Sequence, residues 1–303
     1  MTLKNILHII FRLTTALVIV PGALCSPVVA QIPESQPLES TSGLRTPGLA
    51  EKIGYSEGDS AIVIPARVRE IPAYCFAGCR GLKRVSFETG SQLRRISAFA
   101  FAECEDLIEF DMPKGVAYIA EGAFRGCSRL PTISLPPILQ QISRETFAYC
   151  SKLDGITLPP SLREIGPLAF LDCQSLRIEE IPSGVGKIGN NAFGRCYSIV
   201  ELLLPHNCRE VGSYAFADCT SLRKIKLPAR SDMLGELLFT GCTRLREIIE
   251  PSIVPPVIEC SSSLFEPSDS KAFRDCVIIV PPGRKIRYEE SPFWGIFKNI
   301  REQ

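Results

Sequence analysis

Residues Ile142 to Glu164 read ISRETFAYCSKLDGITLPPSLRE. Phe147 stands three residues before Cys150, and Ile142 eight before it. Leu153 follows three residues after and Pro159 nine after. The same spacing recurs around Cys79, Cys104, Cys127, Cys173, Cys196, Cys219 and Cys242, with gaps of 25 and then 23 six times running. The preceding Phe residues are Phe76, Phe101, Phe124, Phe147, Phe170, Phe193, Phe216 and Phe239. The aliphatics before them are Ile71, Ile96, Ile119, Ile142, Ile165, Ile188, Val211 and Leu234. Pro recurs nine residues after the cysteine from Pro113 to Pro251. Chance does not produce such a series.

A period in the low twenties with L-x-x-I-x-L inside it marks a leucine-rich-repeat solenoid. The segment L-x-x-I-x-L-P predicts a short strand with alternate side chains inward, ended by a proline that cannot donate to a ladder. The segment A-F-x-x-C turns the chain back, with Phe as a bulky wedge and Cys as a small buried filler. One unit cannot bury its own apolar side, so stability has to come from stacking. The fold expected is an α/β-type repeat solenoid, a stack of about eight 23-residue units with a C-terminal cap. At about 4.8 Å per rung, eight rungs span roughly 40 Å.

A cysteine ladder could signal disulfides or a metal. Residues at one repeat position point the same way, so their Cβ vectors run parallel and do not converge as a disulfide needs. Buried thiols are therefore expected. Off the ladder stand Cys75, Cys208, Cys260 and Cys276, of which Cys260 and Cys276 could form a disulfide in the cap. Cys75-x3-Cys79 has no matching second pair for zinc. His206, two residues from Cys208, is the only imidazole beyond the first 30 residues, and it reads as a loop residue just past Pro205. The adjacent carboxylates Glu179 and Glu180 should face opposite sides of a strand. No phosphate-binding loop, dinucleotide fingerprint or nucleophile elbow occurs. We expect no catalytic residue, no metal and no cofactor.

What remains is surface. The strand positions five and seven after each cysteine should face the open, concave side. In order they are Arg84/Ser86, Glu109/Asp111, Thr132/Ser134, Gly155/Thr157, Ile178/Glu180, Glu201/Leu203, Lys224/Lys226 and Glu247/Ile249. Arg84, Glu109, Asp111, Glu180, Glu201, Lys224, Lys226 and Glu247 are the candidate partner-binding residues. Glu179 breaks the pattern, because it falls where other rungs carry an apolar residue. A register shift with Ile178 filling the gap, as a local bulge, is the reading of that unit.

The unit A-F-x-x-C-x-x-L-x-x-I-x-L-P-x-x-x-x-x-I resembles the BspA-like leucine-rich repeats over about residues 62 to 255. The end of the chain is similar to the closing segment of bacterial members. Ala272-Phe273-x-x-Cys276 reads as one more half-unit, followed by Val277 to Val280, Pro281, Gly283, Tyr288, Trp294, Phe297 and Ile300. These aromatics should cover the last rung. The resemblance implies a surface protein of the adhesive kind, with host extracellular-matrix proteins or other cells as partners. A periplasmic or envelope scaffold with no host partner is the alternative function.

The termini and the composition bound the setting. Residues 1–30 order a basic start (Lys4, Arg12), an apolar run from Leu13 to Leu24 and small residues up to Ala30, the design of a signal peptide. A retained anchor and lipid attachment at Cys25 are the alternatives. Residues 31–60 read as a flexible linker, 61–255 as the repeats and 256–303 as the capping segment. With 34 Lys+Arg against 33 Asp+Glu the 303-residue chain has a formal charge of +1. Loss of Lys4 and Arg12 would make it −1, which gives no pull toward nucleic acid. A secreted or cell-surface binding protein for a protein or glycan follows, with no membrane span after signal removal; residence in the periplasm stays open.

Overall fold

The computed structural model describes residues 49–56, 58–231, 233–258, 264–265 and 275–303. Each unit is one turn of a parallel β-solenoid built on two series of strands. The longer strands are β1 (Ala61–Ile64), β3 (Arg84–Phe87), β5 (Glu109–Phe110), β7 (Thr132–Ser134), β9 (Gly155–Thr157), β12 (Glu201–Leu203), β14 (Lys224–Lys226) and β16 (Glu247–Ile249). The segment expected to be a cap adds β18 (Val277–Val280) and β19 (Ile300–Glu302) to the same series. A second series of two-residue strands lies at the aliphatic before each Phe: β2 (Glu70–Ile71), β4 (Arg95–Ile96), β6 (Tyr118–Ile119), β8 (Gln141–Ile142), β10 (Glu164–Ile165), β11 (Lys187–Ile188), β13 (Glu210–Val211), β15 (Met233–Leu234) and β17 (Val257–Ile258). Pairing is parallel and keeps the sequence period, as in Thr132↔Gly155 and Glu201↔Lys224.

The repeat stack stands as the spacing predicts. Its back half is built from turns and the second strand series; among the described residues helix is confined to Leu49–Lys52 and Lys285–Glu289 in the named elements. The reason lies in the backbone around each Phe. The N–H groups of Glu145, Phe147 and Tyr149 donate to the carbonyls of Pro167, Ala169 and Leu171 at 3.0, 2.9 and 2.7 Å. Aiming three alternate donors at the next rung requires left-handed residues two before and two after Phe, and Glu145 and Tyr149 have φ of 54° and 62°. Non-glycine residues fill most of these positions, at about 1–2 kcal/mol each. The inter-rung hydrogen bonds offset that strain, and a continuous helix could not provide them.

The rings of Phe76, Phe101, Phe124, Phe147, Phe170, Phe193, Phe216 and Phe239 form one buried column, with neighbouring centroids 5.1 to 6.1 Å apart. Beside it runs the cysteine ladder. The eleven described cysteines are buried thiols, which for the eight of the ladder is what the parallel Cβ vectors predict. From Cys104 to Cys242 each ladder Sγ donates to the carbonyl of the Phe one rung earlier, at 3.0 to 3.2 Å. That carbonyl also accepts the N–H of its own unit's cysteine, as in Cys150 N–H to Phe147 O at 3.2 Å. Both lone pairs of a deeply buried carbonyl are thereby satisfied. A small side chain with one weak donor is what the position needs. Cys260 lies outside the described residues, and so does its conjectured disulfide with Cys276, whose thiol is buried.

Both ends of the stack are covered. Residues 49–56, placed in the linker by composition, start with the short helix, and Tyr55 packs edge-on against Phe76 at 5.6 Å. At the other end Tyr288, Trp294, Phe297 and Ile300 are buried as the cap reading requires. Two details of that reading change. Phe265 continues the ring column from Phe239 at 5.8 Å, and Leu264 O accepts the Phe239 N–H at 3.0 Å, the place the sequence reading gave to Ala272-Phe273. Residues 272–273 lie outside the described residues. Cys276 immediately precedes a strand, opposite Arg246, and so is off the ladder register. The chain between Ile249 and Val277 is longer than one period, which lets an earlier Phe reach the column.

Glu250 stands where other units carry an apolar residue before proline, and it is fully buried. Its Oε1 accepts the Ser252 N–H at 2.8 Å, and the Tyr288 hydroxyl, which donates to Ser252 O at 2.8 Å, lies beside it. Burial raises its carboxyl to about 7, against partial compensation from Ser252 and Tyr288. The folded state therefore holds a proton that the unfolded chain releases near 4.5. Stability should be undiminished below pH 4.5 and fall as pH rises to about 7, by about 3 kcal/mol in all. Glu250→Gln should flatten this slope and be the more stable protein at pH 8. Urea midpoints between pH 4 and 8 measure it, and parallel curves for the two proteins would contradict the assignment.

Candidate binding surface

The outward positions of the longer strands alternate with buried ones, as in Glu201-Leu202-Leu203 and Lys224-Ile225-Lys226. Arg84, Glu109, Asp111, Glu180, Glu201 and Lys226 are exposed, and Lys224 and Glu247 half-buried, on one face of the strand series. Lys224 Nζ pairs with Glu247 Oε1 on the adjacent strand. Down this face the outward residues pass from mixed charge through small hydroxyl residues to glutamates and then lysines, while the inward residues stay aliphatic or aromatic.

The face is not one continuous sheet. It is hydrogen-bonded as β1-β3-β5, then β7-β9, then β12-β14-β16-β18-β19. Pro131 accounts for the first break. Lys83, Ile108, Asp154, Arg223 and Arg246 each donate a backbone N–H to the preceding rung from that position, and a proline has none to give.

The second break is the unit of Glu179. Ile178 is buried and Glu179 exposed, so the register shift expected from the sequence is present. Ile178, taken from the spacing as an outward position, is thus an inward one. The unit forms no strand and keeps a single bridge, Glu180↔Leu203. Ile181 returns to the inward position before Pro182. Because the backbone here is not extended, the alternation rule fails and both Glu179 and Glu180 are exposed, contrary to the expectation that they face opposite sides. A cleft of about 760 Å³ opens over this unit. Its walls are Ile156, Thr157 and Leu158 on one side and Val200 to Leu203 on the other, with Arg177 to Glu180 between them. Val200 and Leu203 are 45% and 43% exposed there. The sequence marked this unit through Glu179, but Val200, Leu203 and Arg177 carried no signal of their own.

The other polar clusters are internally satisfied or inert. On the turn side Arg125, over the Tyr149 ring, pairs with Glu103 at 2.6 Å and Glu145 at 3.3 Å. His206 is exposed in a loop, whereas Cys208 is fully buried and its Sγ donates to Glu210 O at 3.3 Å. Burial pushes the Cys208 thiol up to about 12, which removes it as a nucleophile at neutral pH. Among the described residues no group of three or more His, Cys, Asp or Glu is placed to hold a metal. No helix among them is long and apolar enough to cross a membrane.

The family described as BspA type leucine rich repeat region matches residues 55–177 and 173–277, in six copies. Among solved structures, the T. pallidum leucine-rich repeat protein TpLRR is 31% identical, over 63% of this chain and 80% of that one, with a TM-score of 0.50. A leucine rich cell surface protein from Faecalibacterium prausnitzii is 21% identical, over 73% of this chain and 83% of that one, with a TM-score of 0.38. The pneumococcal vaccine antigen PcpA is 20% identical, over 80% and 79%, with a TM-score of 0.39. Curated protein sequences contain no match.

Proposed function

We propose, for a chain that belongs to the BspA-type leucine-rich-repeat family, that it is an exported binding protein acting at the cell surface. Its ligand is a protein or glycan, and adhesion to host matrix or to other cells is the role. One observation carries this reading. The inward residues are nearly constant from rung to rung, as stacking requires, while Arg84, Glu109, Asp111, Glu180, Glu201, Lys224, Lys226 and Glu247 vary in sign on one face of the strand series. The apolar start of the chain, with small residues before Ala30, supports export.

Immobilised protein incubated with matrix proteins and, separately, with cell-wall glycans tests the role. Retention of a matrix protein, weakened by charge reversal at Glu201 and Lys226, is the expected result. Retention of envelope components alone would favour an envelope scaffold instead. Labelling of intact cells with an impermeant reagent tests location, and a chain labelled only after cell lysis would place it in the periplasm.

A further inference from the structure

We propose that the cleft over Arg177–Glu180 seats an extended, basic peptide segment of a partner protein, laid along the strand direction. This rests on the binding reading above and adds the place and the class of ligand.

The backbone comes first. Ser175 N–H still donates to Ser151 O at 3.1 Å, but over Arg177–Ile181 the backbone bonds run to the following rung: Leu203 N–H donates to Glu179 O at 2.8 Å, and Ile181 N–H donates to Leu203 O at 3.1 Å. No strand pairing joins it to β9, whose known partner is β7 on the other side. The edge of β9 that faces the cleft is therefore an unpaired strand edge inside the stack, of the sort that takes an added strand. The cleft reaches from Ser198 to Leu203 on one wall and alongside Ile156 to Leu158 on the other. At about 3.3 Å per residue, the three-residue strands Gly155–Thr157 and Glu201–Leu203 offer roughly 10 Å of extended wall, enough to seat the central residues of a hexapeptide.

The side chains then select the occupant. Val200 and Leu203 are exposed aliphatics on the wall, open to apolar side chains of an incoming segment. Of the charged residues there, Glu179, Glu180 and Glu201 are acidic, while Arg177 and Lys224 are basic. Lys224 is already engaged by Glu247, so the cleft presents a net negative charge. A lysine-bearing segment complements it. The chain's own residues 31–48 do not: they carry Glu34 and Glu39 against Arg45, and Pro33, Pro37 and Pro47 lack the donors an added strand needs.

The probe is a fluorescent hexapeptide of alternating lysine and valine, acetylated and amidated at its ends, read by anisotropy with the purified full chain. Three comparison peptides are its glutamate–valine counterpart, a version N-methylated at alternate residues, and residues 31–48. The lysine–valine peptide should bind, and N-methylation should weaken it about tenfold or more. Glu180→Lys and Leu203→Ser should each weaken it to a similar degree, whereas Glu290→Lys, exposed beside the cap and outside the cleft, should not. Ile178→Glu/Glu179→Ile restores the repeat pattern, should rebuild the strand and should abolish binding. If that double variant fails to fold, the two single changes at exposed positions still decide. The proposal is overturned by absence of binding, by equal binding of the glutamate peptide, by indifference to Leu203→Ser, or by displacement with cell-wall oligosaccharide or residues 31–48. A protein that retains a matrix protein yet ignores the hexapeptide refutes the cleft assignment alone. One that retains neither refutes the binding reading with it.

Discussion

Truncation of Phe170 to Ala is expected to lower the unfolding free energy by about 3–5 kcal/mol. The ring is 1% exposed and stacked between Phe147 at 5.6 Å and Phe193 at 5.3 Å. Its removal forfeits contacts on both sides. The flanking rungs cannot close the gap, because their spacing is set by backbone hydrogen bonds such as Phe147 N–H to Ala169 O at 2.9 Å and Phe170 N–H to Ala192 O at 2.8 Å. A cavity therefore persists instead of collapsing. In a one-dimensional stack the change weakens two nearest-neighbour interfaces, so the damage is larger in the middle than at an end. Phe76→Ala should cost less, since Phe76 has one neighbour of the column, Phe101, and meets Tyr55 edge-on. Chemical unfolding followed by circular dichroism measures both. A loss below about 1 kcal/mol for Phe170→Ala would contradict the wedge role.

The cysteine ladder carries the second large effect. Modification of the native ladder thiols at pH 8 should be at least about a thousandfold slower than that of an ordinary thiol. Burial pushes Cys219 up to about 12 from 9.0, so its thiolate population falls by about three powers of ten before access is considered. Cys127, Cys173 and Cys196 are raised well above the ordinary value by the same cause. Cys75, at the first rung, is raised to about 11 and should react ahead of Cys219. All of them should react at once in denaturant. Titration with a chromogenic disulfide reagent, native against unfolded, is the measurement, and equal rates in the two states would sink the buried-ladder assignment. Cys25 and Cys260 lie outside the described residues and are not part of this expectation.

Periodicity made most of the architecture legible. A residue that must be buried in every rung leaves the same letter at the same spacing, and Phe and Cys did so eight times. The register shift at Glu179 was legible for the same reason, since a carboxyl group is costly inside the stack unless, like that of Glu250, it is hydrogen-bonded and holds its proton. The second strand series was not: two residues such as Glu164-Ile165 are too short to show an alternation of their own. Nor was the place of Phe265, because the irregular length between Ile249 and Val277 removes the count on which the reading depended.

The sequence by itself determined the stack, its period, its inward residues and the unit where the pattern breaks, because those follow from burial repeated along one direction. Only the tertiary structure decided what that break does. Whether Glu179 and Glu180 diverge or share a cleft with Val200 and Leu203 depends on how one unit's backbone meets the rungs before and after it. That contact joins residues twenty or more positions apart, and no spacing within one unit encodes it.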